Sequence, residues 1–187
     1  MESTKLISAT RTESPVDLTG FKNHIGFSIA DATRDESFTL LLDAATDEAQ
    51  SYSGLQLLPA IFELQLNEYK QVVLFDIHPV TGINQVKYFD ASNEEQILVS
   101  GTDYYFNVDA NPAELHFINE LNIYPYRTDA IVVNFGAGYA SAAKVPPLVK
   151  AAILLAAANM YVNPADSVRV LPTASRNLLR NYRTHNT

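Results

Sequence analysis

Residues 130–162 read AIVVNFGAGYASAAKVPPLVKAAILLAAANMYV, and this stretch decides the fold because it passes from a strand to a helix. Its first six residues, 130–135, fit a β-strand that is mostly apolar. Gly136 and Gly138 follow directly, and they mark a strand exit that needs a backbone without a Cβ at two positions. The chain therefore changes from one kind of secondary structure to the other within about ten residues.

The second half of the stretch predicts a helix. Pro146 and Pro147 suit a first helical turn, where a missing N–H costs nothing, and Asn163-Pro164 stops the helix. Between them the apolar face is wide and rich in alanine, so we expect another element to pack closely against most of it.

Upstream of this stretch, from residue 55 onward, apolar residues recur with a period of two. Turn sequences separate the runs, and short strands without helices between them predict antiparallel hairpins. The predicted strands cover residues 61–67, 71–77, 83–89, 96–99, 104–108, 114–118 and 130–135. We therefore expect an antiparallel β module over residues 55–144, inserted into a helical frame.

Helical spacing returns on both sides of this module. A short helix fits residues 18–26, with Thr19 as its cap and Gly26 at its end. A longer helix fits residues 35–53, where Thr33-Arg-Asp-Glu36 matches a capping box and Gly54 a left-handed terminator. A last amphipathic helix fits residues 174–183.

The fold class is therefore α+β, with three expected regions along the chain. Residues 1–16 are polar and mixed, and we expect a flexible N-terminal arm there. Residues 17–54 and 145–187 form the helical frame, and residues 55–144 form the inserted β module.

Composition excludes several classes of protein. The 187 residues contain no cysteine, which rules out disulfides, thiolate metal sites and a cysteine nucleophile. The N-terminus lacks a signal-peptide pattern, and the apolar run 151–162 is too short to span a bilayer. We expect a soluble, cytoplasmically made protein with no membrane contact.

Charge is unevenly distributed. The net charge is −8, yet residues 165–187 carry four arginines against the single acid Asp166, which leaves −11 on residues 1–164. Such an acidic body should not bind duplex DNA at physiological salt. The basic end suggests a second surface for a different neighbour, or simply a solvated terminal helix.

Catalytic, cofactor and metal sites are not expected. The four histidines, His24, His78, His116 and His185, lack partners at metal-ligand spacing. The Gly136-Ala-Gly138 segment lacks the third glycine and the immediate helix of a dinucleotide-binding loop.

Aromatic residues leave one alternative function open. Tyr104, Tyr105 and Tyr124 could form the platform of a β-rich bacterial module that binds carbohydrate, for example, without catalysis. Core packing and ordinary surface tyrosines would explain the same residues.

Two sequence stretches carry a resemblance to a known family. One runs from Phe135-x-Ala137-Gly138-Tyr139 to Val145-Pro146-x-x-x-Lys150-Ala-Ala-Ile-Leu154, and the other is Leu178-Leu-x-x-Tyr-Arg183. With the order of elements, they resemble the head–tail connector (adaptor) proteins of long-tailed bacteriophages and gene transfer agents. The similarity is greatest to the subgroup with a β insertion between the connector helices. Pro164 departs from the pattern, because that subgroup usually has arginine at this position.

The resemblance implies a structural role in the virion. It implies a ring homo-oligomer, dodecameric in the family, that is made in the bacterial cytoplasm and sits at the head–tail junction. The ring would contact the portal protein above and a tail-side stopper or completion protein below. DNA would pass through the ring without specific binding, and no catalytic residue is implied.

The C-terminal segment is the expected contact with the portal. Its three arginines share one helical face beside an apolar stripe. In the free chain so short a helix should be marginal, and it would order on docking, unless the stripe folds back on the chain's own helices. The candidate docking residues are Leu171, Arg176, Leu178, Leu179, Arg180, Tyr182 and Arg183.

Overall fold

A computed structural model describes residues 2–9, 14–164 and 171–183 of the chain. The chain divides into two compact units, one of strands and one of helices. The strand unit combines the N-terminal strand with Pro59–Gly138, and the helical unit combines the described residues of Arg11–Leu58 and Tyr139–Thr187. The fold is therefore α+β, as the change of sequence period predicts.

The described residues of the helical unit form four α-helices, of which the first two lie between the N-terminal strand and Pro59–Gly138 and the last two follow Gly138. They are α1 (Leu18–His24), α2 (Asp35–Ser53), α3 (Pro147–Val162) and α4 (Thr173–Leu179). Short 3-10 turns lie at Ala142–Lys144, before α3, and at Arg180–Tyr182, after α4. No helix among the described residues has the length and apolarity that a membrane crossing needs.

The helix ends confirm some of the capping predictions and correct others. Gly54 closes α2 with a φ of 75°, as predicted. Asp17 caps α1, where Thr19 was the expected cap, and its carboxylate accepts the N–H of Gly20 at 2.6 Å. The capping box at α2 is wrong, because the Thr33 hydroxyl donates to Asp31 at 2.6 Å and Arg34 occupies the N-cap without a side-chain bond.

Phe38 is at the centre of the helical core. Its ring meets those of Phe21, Phe27 and Tyr161 edge-on, with centroids 5.5, 5.0 and 5.5 Å away. These contacts join α1, the loop after it, α2 and α3. Alanines on α3, which the sequence predicts to be closely covered, are fully buried at positions 152, 156 and 157.

Lys22 holds the loop between α1 and α2. Its side chain is 4% exposed, and its ammonium group donates to the carbonyl of Asp31 at 2.8 Å and pairs with the carboxylate of Asp35. Because a buried ammonium group needs such partners, the loop and the start of α2 are fixed around it.

In the described part of the strand unit, eight strands form two antiparallel sheets. A five-stranded sheet has the order β1-β2-β8-β4-β5, and a three-stranded sheet has the order β3-β7-β6. The strands are β1 (Glu2–Ala9), β2 (Ala60–Leu66), β3 (Val72–Leu74), β4 (Val80–Phe89), β5 (Glu95–Leu98), β6 (Tyr104–Asn107), β7 (Glu114–Phe117) and β8 (Ile131–Ala137).

Strand positions follow the period-two pattern closely. In β2, Phe62 and Leu64 are buried while Ile61 is exposed, because alternate side chains point to opposite faces. Gly136 lies where an added Cβ would come within 2.7 Å of the Thr81 hydroxyl, and Gly138 has a φ of 115°. Both glycines therefore serve the strand exit as predicted.

The N-terminus differs from the expectation. The prediction of a flexible arm over residues 1–16 is wrong for Glu2–Ala9, which form strand β1 and pair with β2. The sequence of β1 does not alternate between polar and apolar residues, so it does not predict a strand. This agrees with the structure, in which every described side chain from Ser3 to Ala9 is exposed. Backbone pairing with β2, which is a tertiary contact, creates this strand.

Replacing Phe38 by alanine tests the helical core. We expect Phe38→Ala to lower the free energy of unfolding of the helical unit by about 3–5 kcal/mol, because it removes a fully buried ring. Chemical denaturation followed by circular dichroism measures the loss. Leu40→Ala, on the same helix but 69% exposed, is the control and should change stability by less than about 0.5 kcal/mol. A loss below about 1 kcal/mol for Phe38→Ala would contradict the assigned role.

Candidate functional site

The candidate site is the C-terminal segment, which the structure builds on the helical unit. Pro172 starts α4, and its carbonyl accepts the N–H of Arg176 at 3.0 Å. Isolated helices of seven residues are unstable in water, so α4 depends on the surface it covers. It packs against α3 and α2.

The apolar stripe of this segment is part of the helical core. Leu171 and Leu179 are 4% and 0% exposed, and Leu178 and Tyr182 pack against the same cluster. The stripe therefore folds back on the chain's own helices, which is the alternative to an unfolded docking peg. The structure thus places Leu171 and Leu179 where a partner could not reach them.

The three arginines, by contrast, are exposed. Arg176, Arg180 and Arg183 lie on the solvent side of α4 and of the turn after it. The guanidinium carbons of Arg183 and Arg176 lie 4.9 and 5.9 Å from the ring centroid of Tyr52. We call Tyr52 and these three arginines the arginine face.

Tyr52 was not a candidate from the sequence. It lies in the last turn of α2, far from the arginines along the chain, and no local pattern connects them. Its ring attracts the guanidinium groups, and the negative end of the α2 dipole favours cations at the same place. The tertiary fold therefore orients arginines that the sequence shows only as a spacing.

Glu48 ties the start of the segment to α2. Its carboxylate accepts the backbone N–H of Leu171. Partial burial raises the pKa of Glu48 above its ordinary value, and this hydrogen bond opposes the rise. The contact fixes where the chain enters α4.

The arginine face is suited to binding a protein surface. Guanidinium groups form paired hydrogen bonds with carboxylates, and exposed arginine and tyrosine side chains are common at interfaces. Nothing in the arrangement supplies a nucleophile beside a base. The described residues also contain no group of three His, Cys, Asp or Glu side chains that could hold a metal ion.

The histidines and the tyrosine platform lie elsewhere. His116 bonds Glu114 at 2.8 Å and stacks on Tyr105, with centroids 4.6 Å apart, while His185 falls outside the described residues. Tyr104 is 5% exposed and Tyr105 52%, because neighbours on a strand face opposite sides. The platform of Tyr104, Tyr105 and Tyr124 that the alternative function requires is therefore not formed as one surface.

The fold resembles solved structures from gene transfer agent (GTA) particles along its whole length. A chain in the neck of an empty GTA particle, computed with C6 symmetry, has a TM-score of 0.79 and 18% identity, covering 99% of this chain and 97% of that chain. A chain in the virion of a native GTA particle gives 0.78 and 19%, covering 98% and 96%.

A chain in the neck of a native GTA particle, computed with C12 symmetry, gives 0.76 and 20%, covering 99% and 97%. At this identity the matches establish a shared fold, in agreement with the fold that the resemblance implies. No protein-family model matches the sequence, and no curated protein matches it.

Truncation tests how the segment is held. We expect removal of the chain after Pro172 to lower the melting temperature by several degrees, because Leu179 and its neighbours leave the core at a cost of several kcal/mol. Thermal denaturation measures the change. The control Arg180→Gln alters only an exposed side chain and should leave the melting temperature nearly unchanged. An unchanged melting temperature after truncation would instead mean that the segment is a detachable peg.

Glu48 gives a test that depends on pH. Because burial raises its pKa in the folded state, its stabilising contribution is full below the unfolded pKa and is lost as pH rises through the folded pKa. We expect Glu48→Gln to melt at a higher temperature than the wild type at pH 7, with the gain vanishing near pH 4. Glu68→Gln, an exposed carboxylate, should show no such pH-dependent gain. A gain of equal size at both pH values would refute the assignment.

Proposed function

We propose that this chain is a structural head–tail connector (adaptor) of a long-tailed bacteriophage or gene transfer agent, of the subgroup with a β insertion. One observation carries the proposal: three chains from GTA particles share the fold over at least 98% of this chain. Agreement over both units, strands as well as helices, is more specific than agreement over a helical hairpin alone. The protein is made in the bacterial cytoplasm and acts in the virion without catalysis.

The connector forms a ring beneath the portal, with twelve copies in the family. Neck chains from particles treated with C6 and C12 symmetry support a ring, because a head-to-tail contact that closes generates cyclic symmetry. The ring completes the head, provides the conduit for DNA, and receives a tail-side stopper or completion protein on its lower face.

Charge supports the conduit. The strand unit, residues 1–10 and 59–138, has four basic and twelve acidic residues, whereas the helical unit has nine of each. The whole excess of negative charge is therefore on the strand unit, mostly in its loops. A wall with this charge repels phosphate, so DNA passes without being retained.

The arginine face is the portal contact in this proposal. Arg176, Arg180 and Arg183 are exposed, and Tyr52 holds two of them in place. Because Leu171 and Leu179 are buried, the contact depends on charge and on the exposed parts of Leu178 and Tyr182, not on a buried apolar anchor. The portal surface that it meets should then be acidic.

A pull-down with the portal protein of the same particle tests this role. We expect the triple variant Arg176→Gln/Arg180→Gln/Arg183→Gln to bind portal at least tenfold more weakly, while Lys144→Gln, also exposed, binds normally. Size-exclusion chromatography with light scattering, before and after mixing with portal, measures ring formation. Unchanged binding by the triple variant would overturn the docking role. A wild-type protein that forms no ring and binds no portal would overturn the connector.

A further inference from the structure

The five-stranded sheet has two open edges. Strand β1 lies at one end of the sheet and β5 at the other, and each pairs on one side only among the described residues. The outward N–H and C=O groups of such a strand can pair with a strand of another chain. Open edges at both ends of one sheet are a feature that head-to-tail assembly can use.

Both edges expose large apolar side chains. Leu6 and Ile7 on β1 are 52% and 49% exposed, and Ile97 on β5 and Val99 just after it are 60% and 58% exposed. Ile7 is also the residue at a bulge that the ladder between β1 and β2 skips. Both edges therefore expose apolar side chains, and they lie at opposite ends of the strand order.

Strand direction limits how the edges can meet. All four pairings in the sheet are antiparallel, so β1 and β5, separated by three strands, run in the same direction. Copies related by rotation about a ring axis keep that direction. A junction between β5 of one copy and β1 of the next is consequently parallel.

Side chains that could pair across the junction also point to the same face of the sheet on both edge strands. One row of paired residues crosses the whole sheet on the side away from its core, and it runs Ser3, Gln65, Val132, Lys87, Ile97. Lys5 and Glu95 lie on this same side, two residues from the row on their own strands. Lys87 already donates to the Glu95 carboxylate at 2.8 Å, so Lys5 of the next copy adds a second cation to that carboxylate, and the same register sets Ile7 beside Ile97.

The same alignment shifts the next copy along the strand direction relative to the first. Ile97 shares a row with Ser3 within one copy, but it would meet Ile7 of the next copy, four residues further along β1. Closing a sheet on itself requires a shift of this kind.

We infer that, in the ring proposed above, neighbouring copies join through parallel pairing of β5 on one copy with β1 on the next. Lys5 meets Glu95, and Ile7 meets Ile97. The inference rests on the proposed function for the existence of the ring, and it adds which surfaces form it. Strand β1, whose side chains from Ser3 to Ala9 are all exposed, is then covered by the next copy.

Disulfide cross-linking tests the junction, because the chain has no native cysteine. We expect Ile7→Cys/Ile97→Cys to give, on mild oxidation, a ladder of covalent multimers that reaches the full ring. Neither single variant should form a ladder. The pair Leu40→Cys/Val162→Cys, each position 69% exposed on the helical unit, is the matched control and should stay monomeric on denaturing gels.

The possible outcomes distinguish a failure of the strand junction from a failure of the connector proposal. A ring seen by light scattering without a ladder from the strand pair overturns the junction and leaves the connector intact. A ladder from the control pair instead places the junction on the helical unit and also overturns the inference. Absence of both ring and ladder, with portal as without it, overturns both proposals.

A second variant measures the junction without cross-linking. Ile97→Asp changes an exposed side chain, so the melting temperature of the monomer should stay within about one degree. The fraction of protein in the ring should fall at least tenfold. A ring fraction equal to that of the wild type would contradict the edge junction.

Discussion

The contact of Phe38 with three other aromatic rings is the interaction on which the helical unit depends. Phe21 and Phe27 come from the same end of the chain, whereas Tyr161 lies beyond the whole strand unit in sequence. Two separate halves of chain must therefore be brought together before this core exists. The insertion of the strands is tolerated because its ends return to one packed helical core.

The candidate site is ordered because it packs against that core. Helix α4 is too short to persist alone, and it is stable because Leu171, Ser175 and Leu179 are buried against α2 and α3. Its opposite side is left to the arginines, and Tyr52 and Glu48 of α2 fix the segment from beneath. A binding face on a fixed element loses less conformational entropy when a partner arrives than a disordered peg would.

The two units divide the chemistry of the chain between them. The helical unit is neutral overall and presents a local cluster of cations, whereas the strand unit carries the full net charge of −8. Electrostatic effects on a polyanion such as DNA depend on the summed charge, while a docking contact depends on a few oriented groups. In the proposed connector, one chain therefore provides both a repulsive wall and an attractive contact.

The sequence alone determined the secondary structure between residues 18 and 162 almost completely, since period, glycine and proline act locally. It located seven of the strands, the exit at Gly136 and Gly138, and the end of α2 at Gly54. It also predicted one helical face for three arginines, but only Arg176 lies in α4, whereas Arg180 is in the 3-10 turn and Arg183 follows that turn. Only the tertiary structure decided that Glu2–Ala9 form a strand, that Leu171 and Leu179 are buried, and that Tyr52 lies under the arginines. Each of these depends on a partner distant in sequence, and no local pattern records which distant surface a segment will meet.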